Sequence, residues 1–253
     1  MGKNIAIIFA GGSGVRMGSG TPKQFLEVNS KPIIIHTLDI FEEHPMIDEI
    51  YISCKEDCIG KLRKYIERFW IKKVKKIVPG GTSALGSIYN GLKAAHEDNE
   101  DDTVVLIHDG VRPCITADLI HDVIESVRTK GSAVTCTAMY ETPVMSHDGE
   151  LVEDVPARDE FYTAQAPQCF YLGEVVEAYE RVRDVNPEYK GMVDTCTLMR
   201  NVGKEVAIVK GNRGNIKVTT PEDLYIFRAM LQYRETRDAF GLTERETPLK
   251  FTK

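Results

Sequence analysis

No stretch of the chain approaches the roughly 18 consecutive apolar residues that a membrane-spanning helix needs. An excess of positive charge is missing too: 32 Lys and Arg stand against 38 Asp and Glu, for a formal net charge of −6. That balance argues against a general nucleic-acid binder, whose basic face would show in the total, but it leaves room for a local cationic pocket. The six cysteines (54, 58, 114, 136, 169 and 196) are scattered mostly in apolar runs. Cys54-x-x-x-Cys58 has no second Cys/His pair at zinc spacing, so buried thiols of a reducing cytoplasm are expected rather than disulfides or a metal site. Met1 to Asn4 passes straight into an apolar run, leaving no room for a signal peptide. Ala6 stands where a myristoylation pattern needs Ser or Thr. The expected location is therefore the cytoplasm. Two glycine motifs are absent as well. The Rossmann fingerprint needs a third glycine where Met17 stands, and an acid ending the second strand where Ser53 and Cys54 stand; Gly18-Ser19-Gly20 does not supply the Gly-Lys-Ser/Thr of a P-loop. No internal repeat or linker marks a second domain.

What is present centres on IAIIFAGGSGVRMGSGTPKQFL, Ile5 to Leu26. Ile5 to Phe9 is unbroken apolar sequence, as in a strand buried on both faces of a sheet. It stops at Gly11-Gly12-Ser13-Gly14, where backbone can approach a ligand with no Cβ in the way. Three cations follow, Arg16, Lys23 and Lys31, with no acid before Glu27. Backbone N–H groups and neighbouring cations are what a polyphosphate site needs; an ordinary turn with cations facing water is the plainer reading.

Along the chain, Ser30-Lys31-Pro32 predicts an N-cap with proline in the first turn, then a helix carrying Ile34, Leu38 and Phe41 up to His44-Pro45. Glu49 to Cys54 predicts a strand, followed by a helix with Ile59, Leu62, Ile66 and Trp70 on one face. Lys72 to Val78 predicts a short strand closed by Pro79-Gly80-Gly81, then a helix with Leu85, Ile88, Leu92 and Ala95 inward. The acidic run Glu97 to Asp102 reads as a solvated connection. Thr103 to Ile107 is a second fully apolar strand, ending in His108-Asp109-Gly110-Val111-Arg112-Pro113. Thr116 caps a helix with Ile120, Val123, Ile124 and Val127 inward, and Ala133 to Met139 is a further strand. From Tyr140 to about Tyr171, short extended pieces, a His147-Asp148-Gly149 turn and three prolines predict a β-hairpin arm projecting from the domain. A helix returns at Val175, Tyr179 and Val182. Glu205 to Val209 and Asn215 to Thr219 read as strands. Thr220-Pro221-Glu222-Asp223 is a capping box opening a last helix with Leu224, Phe227 and Leu231 inward. A polar tail follows.

Alternating strands and helices imply an α/β, Rossmann-like fold: a mainly parallel sheet with helices on both faces and the protruding arm. One domain is expected over residues 1–233, with the tail at 234–253. Ligands of such sheets bind beyond the carboxyl ends of the strands, so the glycine loop and Asp109 should face one crevice. Asp109 can be a turn residue or a magnesium ligand. Asp194 is a weaker second acid that fits a helix N-cap equally well. Lys217 can be an outward strand residue or an anion contact before the capped helix. Arg158 in isolation reads as a surface ion pair, and His36 and His108 as packing or turn residues.

With AGGSGVRMG and PKQFL at one end and NIKVTTPEDL at the other, the chain resembles the cytidylyltransferases that make CDP-activated polyols, acting on ribitol 5-phosphate or methylerythritol 4-phosphate. GGTSALGSIYNGL, HDGVRP, PARDEFYTAQAPQCF and VDTCTLM lie between them in order. The resemblance implies CTP as co-substrate, Mg²⁺ as cofactor and a polyol phosphate as acceptor, with neither nucleic acid nor membrane as partner. Phe9, Ala10, Gly11 and Gly12 would lie against CTP; Arg16 and Lys23 would stabilise charge on the α-phosphate; Gly80, Gly81, Thr82 and Ser87 would hold the cytosine end. Asp109 would sit near the ribose and the metal. Arg158 and Lys217 would position the acceptor's phosphate, with Thr142 nearby. The arm implies a homodimer in which Arg158 serves the neighbour's site. Ala84, Gly86 and Val193 depart from the family pattern. Ala10-Gly11-Gly12 and Lys31 to Thr37 look more like the ribitol branch. A hexose 1-phosphate nucleotidyltransferase, which should lack the Arg158 and Lys217 contexts, and a non-catalytic nucleotide-binding subunit are the competing readings.

Overall fold

The computed structural model describes residues 2–12 and 21–240. The apolar run becomes β1 (Asn4–Ala10), followed by a short hairpin, β2 (Glu27–Val28) and β3 (Lys31–Pro32). Then come α1 (Ile33–Glu43), β4 (Glu49–Cys54), α2 (Glu56–Arg68), β5 (Val74–Pro79), α3 (Ala84–His96), β6 (Val104–Asp109), α4 (Ala117–Lys130) and β7 (Ser132–Ala138). After the arm come β8 (Tyr162–Tyr171), α5 (Leu172–Val185), α6 (Thr195–Asn201), β9 (Ile208–Lys210) and α7 (Pro221–Ala239).

Seven strands form one sheet in the order β5-β4-β1-β6-β8-β7-β9. All run parallel except β8, which is antiparallel to both β6 and β7. The period of two along β1 divides the core. Ala6, Ile8 and Ala10 pack with α1, α2 and α4 on one face, while Ile5 and Ile7 pack with α3 and α5 on the other. Burying one Ile or Leu side chain contributes about 1.5–3 kcal/mol, and each face holds many such side chains. The apolar sides predicted for α3, α4 and α5 are the buried ones, and Thr116 caps α4 by accepting from the Leu119 N–H at 3.3 Å. β1 and β6 are central, so their carboxyl ends emerge side by side, Phe9 level with Asp109.

The structure departs from the sequence reading at several points. Asn29 and Ser30 have φ of 51° and 62° and form the two-residue turn joining β2 to β3. Positive φ at both positions matches strand twist, so Ser30 is a turn residue and α1 starts after Pro32 with no side-chain cap. α2 stops at Arg68, and Trp70, at φ 58° and 78% exposed, lies outside its apolar face. In the acidic run, Asp98 pairs with Lys76 at 2.9 Å and accepts from the Tyr51 hydroxyl.

The arm is shorter than expected, because residues 162–171 form a strand inside the main sheet. Pro167 has no N–H for the ladder, and a register shift between Val134 and Cys136 accommodates it. Thr135 Oγ1 closes the gap by donating to the Pro167 carbonyl at 2.8 Å. The remaining arm has a single bridge, Met145 to Asp154, in place of a hairpin ladder. β9 begins only at Ile208, and Asn215 to Thr219 is a loop. That loop is pinned instead, its Val218 N–H donating to the Val111 carbonyl at 2.8 Å. The Asp223 carboxylate accepts from the N–H groups of Thr219 and Thr220, as the capping box predicts. Phe227 is fully buried. α7 runs on to Ala239, so the expected boundary at 233 falls within a helix.

Candidate functional site

Beyond the carboxyl ends of β1, β4, β5 and β6 lies a cavity of about 550 Å³. Its floor is built by backbone. The Gly110 N–H donates to the Phe9 carbonyl at 3.0 Å, locking the exits of β1 and β6 together. Gln24, buried in the short helical turn Lys23–Phe25, donates through Nε2 to the Ala10 carbonyl at 3.0 Å. The PKQFL segment is thereby folded back over the glycine loop, and Lys23 lines the cavity although the residue is only 9% exposed.

The opposite wall comes from the loop entering α3. Ser83 caps that helix by accepting from the Gly86 N–H at 3.0 Å. Ser87 Oγ accepts from the Gly81 N–H at 3.0 Å and donates to the Ser83 carbonyl at 2.9 Å. A Cβ at Gly11 would stand 2.8 Å from that oxygen, and one at Gly81 would stand 2.6 Å from the Gly86 carbonyl carbon. At Gly11 the buried Ser87 hydroxyl leaves no room for a side chain, as it does at Gly80 at 2.9 Å, whereas at Gly81 the Gly86 backbone does. The Ser87 hydroxyl thus braces the loop entering α3, with Gly11 packed close against it.

The remaining wall carries the charge. Asp109, 5% exposed, receives Lys217 Nζ on Oδ1 at 2.6 Å and Arg112 Nε on Oδ2 at 3.3 Å. Arg112 Nη1 reaches on to the Asn215 carbonyl at 2.6 Å. Asn215 is itself buried and donates to the Ala166 carbonyl at 2.8 Å. Burial alone would raise the Asp109 carboxyl, but Lys217 and Arg112 outweigh it and hold the group below its ordinary range. Behind it, His108 is fully buried and bonded through Nε2 to the Arg112 carbonyl at 3.0 Å. Burial lowers its pKa to about 4, so it is neutral at pH 7. It packs on Phe41 with ring centroids 5.1 Å apart, the structural part expected of it.

A second cavity of about 160 Å³ adjoins the first and shares Phe9, Ala84, Asp109 and Lys217 with it. It extends toward Gln165, Gln168 and Asp194. The Asp194 carboxylate accepts from the Thr197 N–H at 2.8 Å and from Gln168 Nε2 at 2.7 Å, so it is the N-cap of α6. Among the described residues no group of three His, Cys, Asp or Glu side chains could hold a metal ion. Asp109 is the carboxylate that lines the larger cavity, and both its oxygens are engaged by Lys217 and Arg112; a magnesium ion carried on phosphates usually takes one or two carboxylates and completes its shell with substrate oxygens and water.

Of the residues singled out in the sequence, Phe9, Ala10, Gly11, Gly12, Lys23, Gly81, Thr82, Ser87, Asp109 and Lys217 line the larger cavity. Gly80 sits behind it, its N–H on the Cys54 carbonyl at 2.7 Å. Arg16 lies outside the described residues. Lys31 does not join the cluster: it pairs with Asp39 on α1. Arg158 and Thr142 are exposed on the arm and line neither cavity; the Arg158 guanidinium donates to the Tyr140 carbonyl at 3.1 Å. The sequence reading gave no role to Arg112, Gln24 or Lys55, which the fold brings to these walls. Arg112, three residues past Asp109 at a strand exit, was the one with a visible signal.

The IspD family model, 2-C-methyl-D-erythritol 4-phosphate cytidylyltransferase, matches residues 4–233. Ribitol-5-phosphate cytidylyltransferase of Streptococcus agalactiae serotype V is 42% identical over 240 residues, spanning 94% of this chain and 99% of that protein. 2-C-methyl-D-erythritol 4-phosphate cytidylyltransferase of Clostridium botulinum strain Langeland is 39% identical over 232 residues, spanning 92% and 99%. The crystal structure of 4-diphosphocytidyl-2C-methyl-D-erythritolsynthase from Anaerococcus prevotii superposes with a TM-score of 0.78 at 31% identity, covering 91% of this chain and 96% of that one.

Proposed function

The chain belongs to the IspD family of cytidylyltransferases, and on that premise we propose that it transfers CMP from CTP to D-ribitol 5-phosphate, giving CDP-ribitol and pyrophosphate. The observation that carries this reading is the Asp109–Lys217 pair at the junction of two cavities, the larger glycine-walled and open to a nucleotide, the smaller fit for an acceptor. Ribitol is favoured over methylerythritol by the 42–44% identity to ribitol-5-phosphate enzymes against 39% to the methylerythritol ones.

In this reading an oxygen of the acceptor's phosphate attacks the α-phosphorus of CTP, and the bond to the β-phosphate oxygen breaks as pyrophosphate leaves. A phosphate monoester with a second pKa of about 6 is already largely dianionic at neutral pH, so no general base is needed, which suits a wall whose histidine is buried and neutral. The protein's work is to align two anions and to neutralise the charge between them. Lys23 does so from the floor, with Arg16 as its partner by resemblance. Lys217, its side chain 41% exposed, holds the acceptor's phosphate at the junction. Gly11 and Gly12 admit the triphosphate to the backbone. Asp109 is the carboxylate that would hold Mg²⁺, which supplies further charge neutralisation when bound.

The arm supports the expectation of a homodimer: Val144, Leu151, Val152 and Val155 are each more than half exposed on it, and a second copy would cover them while Arg158 and Thr142 reach that copy's acceptor site. No helix among the described residues is long and apolar enough to cross a membrane. The test is pyrophosphate release from CTP and Mg²⁺ with ribitol 5-phosphate, methylerythritol 4-phosphate and glycerol 3-phosphate in parallel. The expected result is turnover with ribitol 5-phosphate at the highest kcat/KM. Preference for methylerythritol 4-phosphate would move the protein to the other branch, and no release with any acceptor would end the reading.

A further inference from the structure

Three neighbouring strands deliver the nucleotide wall of the cavity, and the middle one ends in a cation. β1 exits into Gly11-Gly12 and β5 into Gly80-Gly81, while β4, between them, exits through Cys54 into Lys55. Cys54 is fully buried and level with Ala10 in the sheet. Its carbonyl accepts from the Gly80 N–H at 2.7 Å, and the Lys55 carbonyl accepts from the Cys58 N–H at 2.9 Å. The backbone on both sides of Lys55 is therefore fixed, while the residue is exposed and lines the larger cavity together with Gly12 and Lys23. No hydrogen bond or ion pair to a described residue engages its ammonium.

The other cationic end of the cavity differs. Lys217 is paired with Asp109, so much of its charge is balanced within the protein. A bound nucleoside triphosphate brings several negative charges, and an ammonium offers three donors and no acceptor. We propose that Lys55 is a further nucleotide-binding residue, donating to the terminal phosphates of the triphosphate. This rests on the cytidylyltransferase reading and adds to it. The contact reaches the part of the nucleotide that leaves as pyrophosphate and not the reacting α-phosphate, so Lys55 chiefly sets affinity for CTP.

The test is calorimetric titration of CTP with Mg²⁺, without acceptor, into the wild type, K55A, K55R and K64A. Lys64 is an exposed lysine of α2 that does not line the cavity, and its removal changes net charge equally. The expected result is a Kd for CTP raised about tenfold in K55A, the size of one charge-assisted hydrogen bond. K55R should recover most of the affinity and K64A should match the wild type. Inhibition of turnover by pyrophosphate should weaken in K55A by the same factor, with inhibition by CMP unaltered. Wild-type affinity for CTP in K55A would overturn the proposal. So would an equal weakening of CMP, which would place the contact at the nucleoside. If the wild type binds no CTP at all, the cytidylyltransferase reading falls, and this proposal with it.

Discussion

The cleft and the arm carry the two halves of the expected site, and they are built in opposite ways. In the cleft the charged wall is tied to buried groups: Lys217 pairs with Asp109, Asp109 with Arg112, and the turn carrying Lys23 is held by Gln24 on the Ala10 carbonyl. On the arm, Arg158 holds a single carbonyl and Val144, Leu151, Val152 and Val155 face solvent. Charged groups kept at defined positions out of water are pre-organised for a transition state. Groups on a surface with one bridge and exposed apolar residues take their positions from whatever covers them. The cleft residues are placed by their own chain, whereas the proposed part of the arm depends on a second copy covering it.

The largest effect expected from this difference is at Lys23. K23A should lose kcat by roughly 10²–10³, the usual scale for one contact made to a developing charge, while CTP still binds in a direct titration. Near-normal turnover would break the cleft half of the comparison. The arm half is sharpened by mixing variants. R158A and K23A are each expected to be poorly active alone. If Arg158 serves a neighbouring copy, mixed dimers contain one intact site, and an equal mixture should regain about a quarter of wild-type activity by random pairing in a twofold assembly. No recovery on mixing would return Arg158 to its own chain.

The smallest effect concerns pH, and it belongs to the buried side of the cleft. The pKa of His108 is about 4 in the folded chain, below its ordinary 6.5. Its contribution to stability is therefore intact above about pH 6.5 and is lost as pH falls toward 4, because the unfolded chain takes up a proton there that the folded one refuses. The loss amounts to about 3 kcal/mol at most. Asp109, held low by Lys217 and Arg112, adds a loss of the same sign at lower pH. Urea midpoints measured from pH 7 to 4 should fall for the wild type and fall less for H108Q. Equal slopes would show that His108 titrates normally.

Much of the cleft was legible because its chemistry is local in the chain. Gly11 and Gly12 follow an apolar run, and Asp109 follows another, so the rule that ligands meet the carboxyl ends of parallel strands brought them to one crevice. The unbroken apolar run of β1 was enough to mark a strand buried on both faces, and the three-and-four spacing in α3, α4 and α5 to assign their buried sides. β8 was obscured by Pro167, which reads as a strand breaker until the shifted register beside it is seen. Ser30 was obscured by competing signals: a serine before Lys-Pro suggests a cap, but only pairing of Glu27 with Pro32 shows that it occupies the tip of a hairpin. Trp70 continued a helical spacing that the backbone had already left.

By itself the sequence determined the alternation of elements, their buried sides and the glycine loops, because each follows from neighbours a few residues apart. Only the tertiary structure decided that Lys217 neutralises Asp109 across 108 positions, that Gly11 closes against the Ser87 hydroxyl, and that Lys55 stands between the two glycine loops. Those are contacts between distant segments, and they exist only once burial of the core has ordered the strands side by side.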